Sequence, residues 1–127
     1  MSEAVVEGIG VDIIEIERIR ETIAAYGDAF LHRIFTQREI AYCNSKQNSD
    51  QHFTARFASK EAVGKALATG WAGAFRWKDV EVQNNPQGKP EVILHGDLGK
   101  ELSKMALLLS ISHSHTHVVA VALIQNR

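Results

Sequence analysis

Apolar positions recur at helical spacing through the first half of the chain and alternate with polar ones through much of the second. Ala4 to Val11 (AVVEGIGV) reads as an opening strand, in which Gly8 and Gly10 permit close backbone approach or a bulge. From about Ile13 to Ala25 the spacing of Ile16, Ile19 and Ile23 predicts a helix that stops at Gly27. Asp28 is placed to cap a short helix, AFLHRIF, and Thr36 with Glu39 forms a capping box that opens a helix through about Cys43. Asn44 to His52 (NSKQNSDQH) is the most polar stretch and reads as a mobile loop within the domain. A lysine-rich helix follows from about Ala55 to Thr69, with Gly70 where a left-handed cap belongs. Beyond it, Val80 and Val82 alternate with charged neighbours, as do Val92 and Leu94, and NNPQGKP between them predicts a hairpin. Leu98 to Ala106 fits a short helix. Leu107 to Ile111 and Val118 to Ile124 read as buried strands joined by the polar turn SHSHTH. Strands and helices without regular alternation predict an α+β fold, a mainly antiparallel sheet with packed helices.

Composition narrows this picture. The 127 residues suit one domain, 1–127, able to bury roughly two-thirds of its unfolded surface. A net charge of −1 gives no support to nucleic-acid binding, which needs a concentrated basic surface. One cysteine, Cys43, excludes an intrachain disulfide framework and suits a reducing compartment, where its expected role is packing. With neither a signal peptide nor a membrane span in view, the expected location is cytoplasmic.

The chemistry concentrates in RFASKEAVGKAL, residues 56–67, which places Lys60, Glu61 and Lys65 on one helix. Glu61 and Lys65 are four apart and share a face, as an ordinary ion pair or as a metal and phosphate site. Asp12 follows GIGV at the expected strand end, where it either caps the next helix or ligates a metal. A magnesium site needs only one or two protein carboxylates, so Asp12 with Glu61 would suffice. His113, His115 and His117 recur every second residue, yet neither a cysteine cluster nor an H-E-x-x-H helix accompanies them, and a turn would break their alternation. A single strand-end histidine serving a phosphate or a proton fits that stretch better than zinc. Gly88-Lys89-Pro90 lacks the spacing of a P-loop, and Gly8 with Gly10 lacks the third glycine of a dinucleotide fingerprint. Arg18, Arg20, Arg33 and Arg38 enrich the early helices in positive charge, diluted by Glu15, Glu17, Glu21 and Glu39.

GIGVDIIEIERI, RFASKEAVGKAL, a GKP turn and LSISHS before a last apolar strand, in that order from Gly8 to Ile124, resemble the holo-acyl carrier protein synthases. These are the small bacterial-type 4'-phosphopantetheinyl transferases. The resemblance implies transfer of 4'-phosphopantetheine from coenzyme A to a serine of apo-acyl carrier protein, in the service of fatty acid biosynthesis, with release of adenosine 3',5'-bisphosphate. It implies Mg2+ held by Asp12 and Glu61, with Glu61 the candidate for removing the serine proton. Lys65 would meet the leaving phosphate, and His113 would contact coenzyme A phosphates. Arg56, Lys60, Gly88, Lys89 and Pro90 would hold the nucleotide end. A homotrimer with active sites between subunits is implied as well, and Arg18, then Arg20, as the docking residues for the acidic carrier. Ser59 stands where alanine is frequent, Trp71 where an aliphatic residue is usual, and His115 and His117 match no family requirement.

Two other readings use the same residues. One is a coenzyme A or carrier-protein binding module that keeps the fold without the chemistry. The other is a magnesium-dependent pyrophosphate hydrolase, which needs a water-directing base and no acceptor protein.

Overall fold

The computed structural model describes residues 3–67 and 76–126. The chain opens with β1 (Val6–Glu15), followed by α1 (Ile16–Tyr26), α2 (Asp28–Ile34), α3 (Gln37–Asn44) and the long α4 (Ser49–Leu67). A 3-10 turn at Trp77–Asp79 leads into β2 (Val80–Asn84) and β3 (Pro90–Leu94), then α5 (Gly96–Glu101), β4 (Met105–His113) and β5 (His117–Asn126). The expected α+β architecture is present: β1, β5 and β4 form one antiparallel sheet in that order, and β2 with β3 forms a separate antiparallel hairpin.

The three-stranded sheet has one covered face. In an antiparallel pair, opposed residues share a face, so the rows Gly10–Ala122–Leu109, Asp12–Ala120–Ile111 and Ile14–Val118–His113 point the same way. Ile14, Val118, Ala120 and Ala122 from these rows are buried, as are Ala58, Ala62, Val63 and Ala66 of α4. Small residues allow strand and helix to meet almost backbone to backbone. A Cβ added at Gly10 would fall inside the Ala62 carbonyl oxygen and 2.7 Å from the Ala66 nitrogen; one at Gly8 would overlap the Ala66 carbonyl. The expected close approach at these glycines is therefore a contact with α4. On the opposite face Ile9, Val11 and Ile13 are 64, 55 and 61% exposed, and Leu108 beside them is 47% exposed. This face of the sheet is apolar and bare.

Several boundaries differ from expectation. The strand expected to end at Val11 continues to Glu15, because Asp12 and Ile14 keep alternating with Val11 and Ile13 against β5. Asp12 therefore lies within a strand, three residues short of the α1 N-cap, Glu15, and caps nothing. Asp28 is the first residue of α2; Gly27 occupies the cap position, at φ 54°. The polar loop shrinks to 45–48, since α4 begins at Ser49 with Asp50 in its first turn, where a negative charge favours the helix. The helix expected over 98–106 is α5, which ends at Glu101; Met105 and Ala106 already belong to β4. The capping box is formed as expected, Thr36 accepting from the Glu39 N–H and Glu39 from the Thr36 N–H. Cys43 is buried, and burial pushes its thiol up to about 12, leaving packing as its role. The cap at Gly70 and the departure at Trp71 lie outside the described residues.

Candidate active site

Two faces of α4 carry candidate site residues, each as a pair four residues apart. Glu61 and Lys65 face β1. The Lys65 Nζ donates to Asp12 Oδ1 at 2.9 Å and to the Val11 carbonyl at 3.1 Å. Asp12 Oδ2 is buried and accepts no hydrogen bond. Glu61 is half-buried, and burial first, then the Asp12 charge, raises its pKa above the ordinary value of 4.5. Lys65 and Arg18 pull in the other direction, so Arg18 of α1 acts on the same carboxylate. The Asp12 bond, reinforced by its charge, holds the Lys65 ammonium above its usual range. A buried carboxylate oxygen without a donor, beside a second carboxylate reluctant to ionise, is a donor set short of positive charge. It fits a hard divalent cation that takes one or two carboxylates and completes its shell from water and phosphate. Among the described residues no group of three or more His, Cys, Asp and Glu converges, so the histidine triplet does not assemble a zinc site.

Arg56 and Lys60 face the hairpin, with different fates. The Arg56 Nη2 donates to Asn84 Oδ1 at 3.0 Å, its guanidinium carbon lies 4.3 Å from the Tyr42 ring centroid, and its Nε is buried without a partner. Lys46 stands over the same ring at 5.0 Å, and His52 packs on it edge-on at 5.7 Å. Burial lowers the His52 pKa, and the charges of Arg56, Lys46 and His113 lower it further. Arg56 and Lys46 thus bring two cations to Tyr42, with the His52 ring packed on it, and Arg56, Tyr42 and Asn84 line a cavity of about 210 Å³. Lys60 does not join them. It is 0% exposed, and its ammonium donates to Glu39 and the Trp77 carbonyl, both at 2.9 Å, and to the Val80 carbonyl. All three protons are used inside the protein, which corrects the expectation that Lys60 holds a nucleotide.

His113 is exposed at the end of β4 and, with His117, Ser112, Ile13 and Val119, lines a hollow at the edge of the bare face. Ser114 N–H donates to the His117 carbonyl at 2.9 Å, closing the turn that breaks the alternation. At the hairpin tip Gly88 takes φ 86°, and Asn85 Oδ1 accepts from the Gln87 and Lys89 N–H groups at 3.0 and 2.9 Å. Pro90 pairs with Asn84, which ties the Gly88-Lys89-Pro90 turn to Arg56. Arg18 is exposed, whereas Arg20 is committed to Asp50 at 2.9 Å and to Glu17. Sequence reasoning missed Tyr42, Lys46, His52 and Asn84. The four-residue spacing of Tyr42–Lys46 and His52–Arg56 was the available signal, hidden by reading 44–52 as loop.

The family model described as the 4'-phosphopantetheinyl transferase superfamily matches residues 8–122. The chain belongs to this family. Among its relatives, the holo-(acyl-carrier-protein) synthase of Koribacter versatilis is 42% identical over 122 residues, covering 94% of this chain and 98% of its own. That of Chlamydia caviae is 51% identical over 114 residues, 90% of this chain and 93% of its own. Solved structures agree. The holo-(acyl-carrier-protein) synthase of Neisseria meningitidis superposes with a TM-score of 0.86 at 31% identity, over 94% of this chain and 98% of its own. The Bacillus anthracis enzyme in complex with CoA (3',5'-ADP) gives 0.80 at 33% identity, over 96% and 98%.

Proposed function

We propose that the chain transfers the 4'-phosphopantetheine group of coenzyme A to a serine hydroxyl of apo-acyl carrier protein. The observation that carries the reading is the meeting of Asp12, Glu61 and Lys65, with one Asp12 oxygen buried and unpaired. The serine oxygen forms a bond to the β-phosphorus of coenzyme A while the bond from that phosphorus to the bridging oxygen breaks. The leaving group is adenosine 3',5'-bisphosphate. Glu61 takes the serine proton, directly or through water. Lys65, one turn further along α4, stabilises or protonates the departing oxygen. Asp12 and Glu61 would hold Mg2+, which when bound neutralises charge on the pyrophosphate under attack. Arg56, joined by Lys46, presents positive charge to the remaining phosphate, His113 contacts the coenzyme A phosphates, and the Gly88-Lys89-Pro90 turn borders the nucleotide end.

Arg18 is exposed beside Glu61, where an acidic carrier docking on α1 would deliver its serine to the base. Arg20, already paired, is the weaker docking residue. The bare apolar face supports a homotrimer that shares its active sites, and His113 lies at the end of β4 next to it. No helix among the described residues is long and apolar enough to cross a membrane, in keeping with a cytoplasmic role in fatty acid biosynthesis.

The deciding experiment incubates the protein with magnesium, coenzyme A and apo-acyl carrier protein and weighs the carrier by mass spectrometry. A serine-linked phosphopantetheine adduct is expected. Coenzyme A consumed without an adduct would favour the hydrolase, and binding without turnover would favour the binding module.

A further inference from the structure

The β2–β3 hairpin is held by buried charges that the transfer chemistry does not use. Glu39 of α3 is 1% exposed, and its carboxylate accepts three hydrogen bonds of 2.9 Å: Thr36 N–H and Lys60 Nζ at Oε1, and Val82 N–H at Oε2. Lys60 in turn donates to the carbonyls of Trp77 and Val80. One ion pair therefore grips β2 and the turn before it at both kinds of backbone group. Thr36 extends the grip, because its hydroxyl donates to Glu81, the neighbour of Val82, which also receives Arg38 at 2.6 Å and lies 3.0 Å from the His95 Nε2. One turn before Lys60, Arg56 reaches Asn84 at the far end of β2. One residue after Lys60 comes Glu61.

A buried ion pair is poor value as stabilisation, since the desolvation of two charges offsets much of their attraction. Its distinctive property is direction. An apolar contact lets a strand slide along a helix, whereas a carboxylate meeting one N–H and an ammonium meeting two carbonyls fix the strand lengthwise. Both carboxylate oxygens are needed. A glutamine at this position would turn an NH2 group toward either Val82 N–H or Lys60, donor against donor.

We infer that Glu39 is a positioning residue for coenzyme A. Through Lys60 and Val82 it sets β2, and with it Asn84 and the Gly88–Pro90 turn, at a fixed offset from the helix that carries Glu61 and Lys65. The nucleotide end and the reacting phosphate are thereby held at one separation. This rests on the transferase reading, because the hairpin borders the nucleotide only if coenzyme A is the donor.

The test is steady-state transfer by the full chain and Glu39→Gln, well below their unfolding temperatures, with hydrogen exchange on the same samples. In the variant the KM for coenzyme A should rise about tenfold, the equivalent of one charged hydrogen bond. The KM for the carrier protein and kcat should stay within about twofold, because α1 and the Asp12–Glu61–Lys65 group are untouched. Amides of 80–84 should exchange faster and those of β1 unchanged. If Glu39→Gln does not fold, Thr36→Ala, which removes the cap on the Glu39 N–H and the link to Glu81 while leaving Lys60 and Val82 on the Glu39 carboxylate, should move the same KM in the same direction by less. A folded variant with unchanged KM for coenzyme A, or with equal losses for both substrates, overturns the inference. A wild-type protein that makes no adduct overturns the transferase reading instead. In that case β2 amides that exchange at the wild-type rate in Glu39→Gln still refute the positioning role.

Discussion

Replacing Glu61 by glutamine keeps the size of the side chain and removes both its charge and its capacity to take a proton. Turnover should fall by about 1,000-fold or more, the weight of a general base, with the circular dichroism spectrum and unfolding temperature little changed. Near-normal activity in that variant would show that the proton goes elsewhere. Arg18 has a different signature. As an exposed cation beside the carboxylate proposed to take the serine proton, it should act on association, so Arg18→Ala should raise the KM for the carrier several-fold and weaken its salt dependence. Arg20→Ala should do less, its guanidinium being spent on Asp50 and Glu17. Glu81 makes a prediction about acid. Burial alone would raise its pKa, but hydrogen bonds from Thr36, His95 and Arg38 outweigh burial and hold it below 4.5. Its contribution to stability is therefore complete above that value and is lost as pH falls through the depressed folded pKa. Thermal unfolding followed from pH 6 downward should show Glu81→Gln losing less stability in acid than the wild type.

The way secondary structure meets decides which of these residues can act together. Gly10 puts the main chain of β1 against α4, and Asp12 is two residues further along that strand. Gly10→Ala has no flexible side chain to displace. It should cost about 3 kcal/mol or more, the upper end of overpacking penalties, and it should depress activity in whatever fraction folds. Chemical denaturation and specific activity measure the two effects separately. Much of this was legible in the sequence. The glycines announced a close approach, Thr36-x-x-Glu39 announced a cap, and the four-residue spacing of Glu61 and Lys65 announced a shared face. The rest was hidden for physical reasons. The end of β1 reads as helix because Ile13, Ile16 and Ile19 also satisfy a helical period, and only pairing with β5 decides between them. The family resemblance implies Lys60 as a ligand, and nothing local in the sequence shows otherwise; its burial depends on Glu39 and on two carbonyls far along the chain. His52 and Lys46 stay hidden because a polar stretch reads as a loop.

As a whole molecule the protein is a sheet covered on one side. Ile9, Val11, Ile13 and Leu108 form an apolar strip of a kind that monomers seldom leave in water. A charge placed in it, as in Val11→Asp, should lower the mass seen by light scattering to that of one chain and abolish transfer, while the α4-facing core survives. If sites are shared between subunits, mixing Glu61→Gln with His113→Ala should restore part of the activity that each lacks alone. A mixture as inactive as its components would place each site within one chain. The contact between β1 and α4 has a bearing on how such a protein can be redesigned. Peptide groups rather than side chains set the spacing of Asp12 and Glu61, so the proposed reaction centre behaves as a fixed fitting within an adaptable housing. On the proposed reading, the α1 surface can be rebuilt for a different carrier, or the hairpin for a different donor, without retuning that dimension. Strand and helix have to be transplanted as one piece.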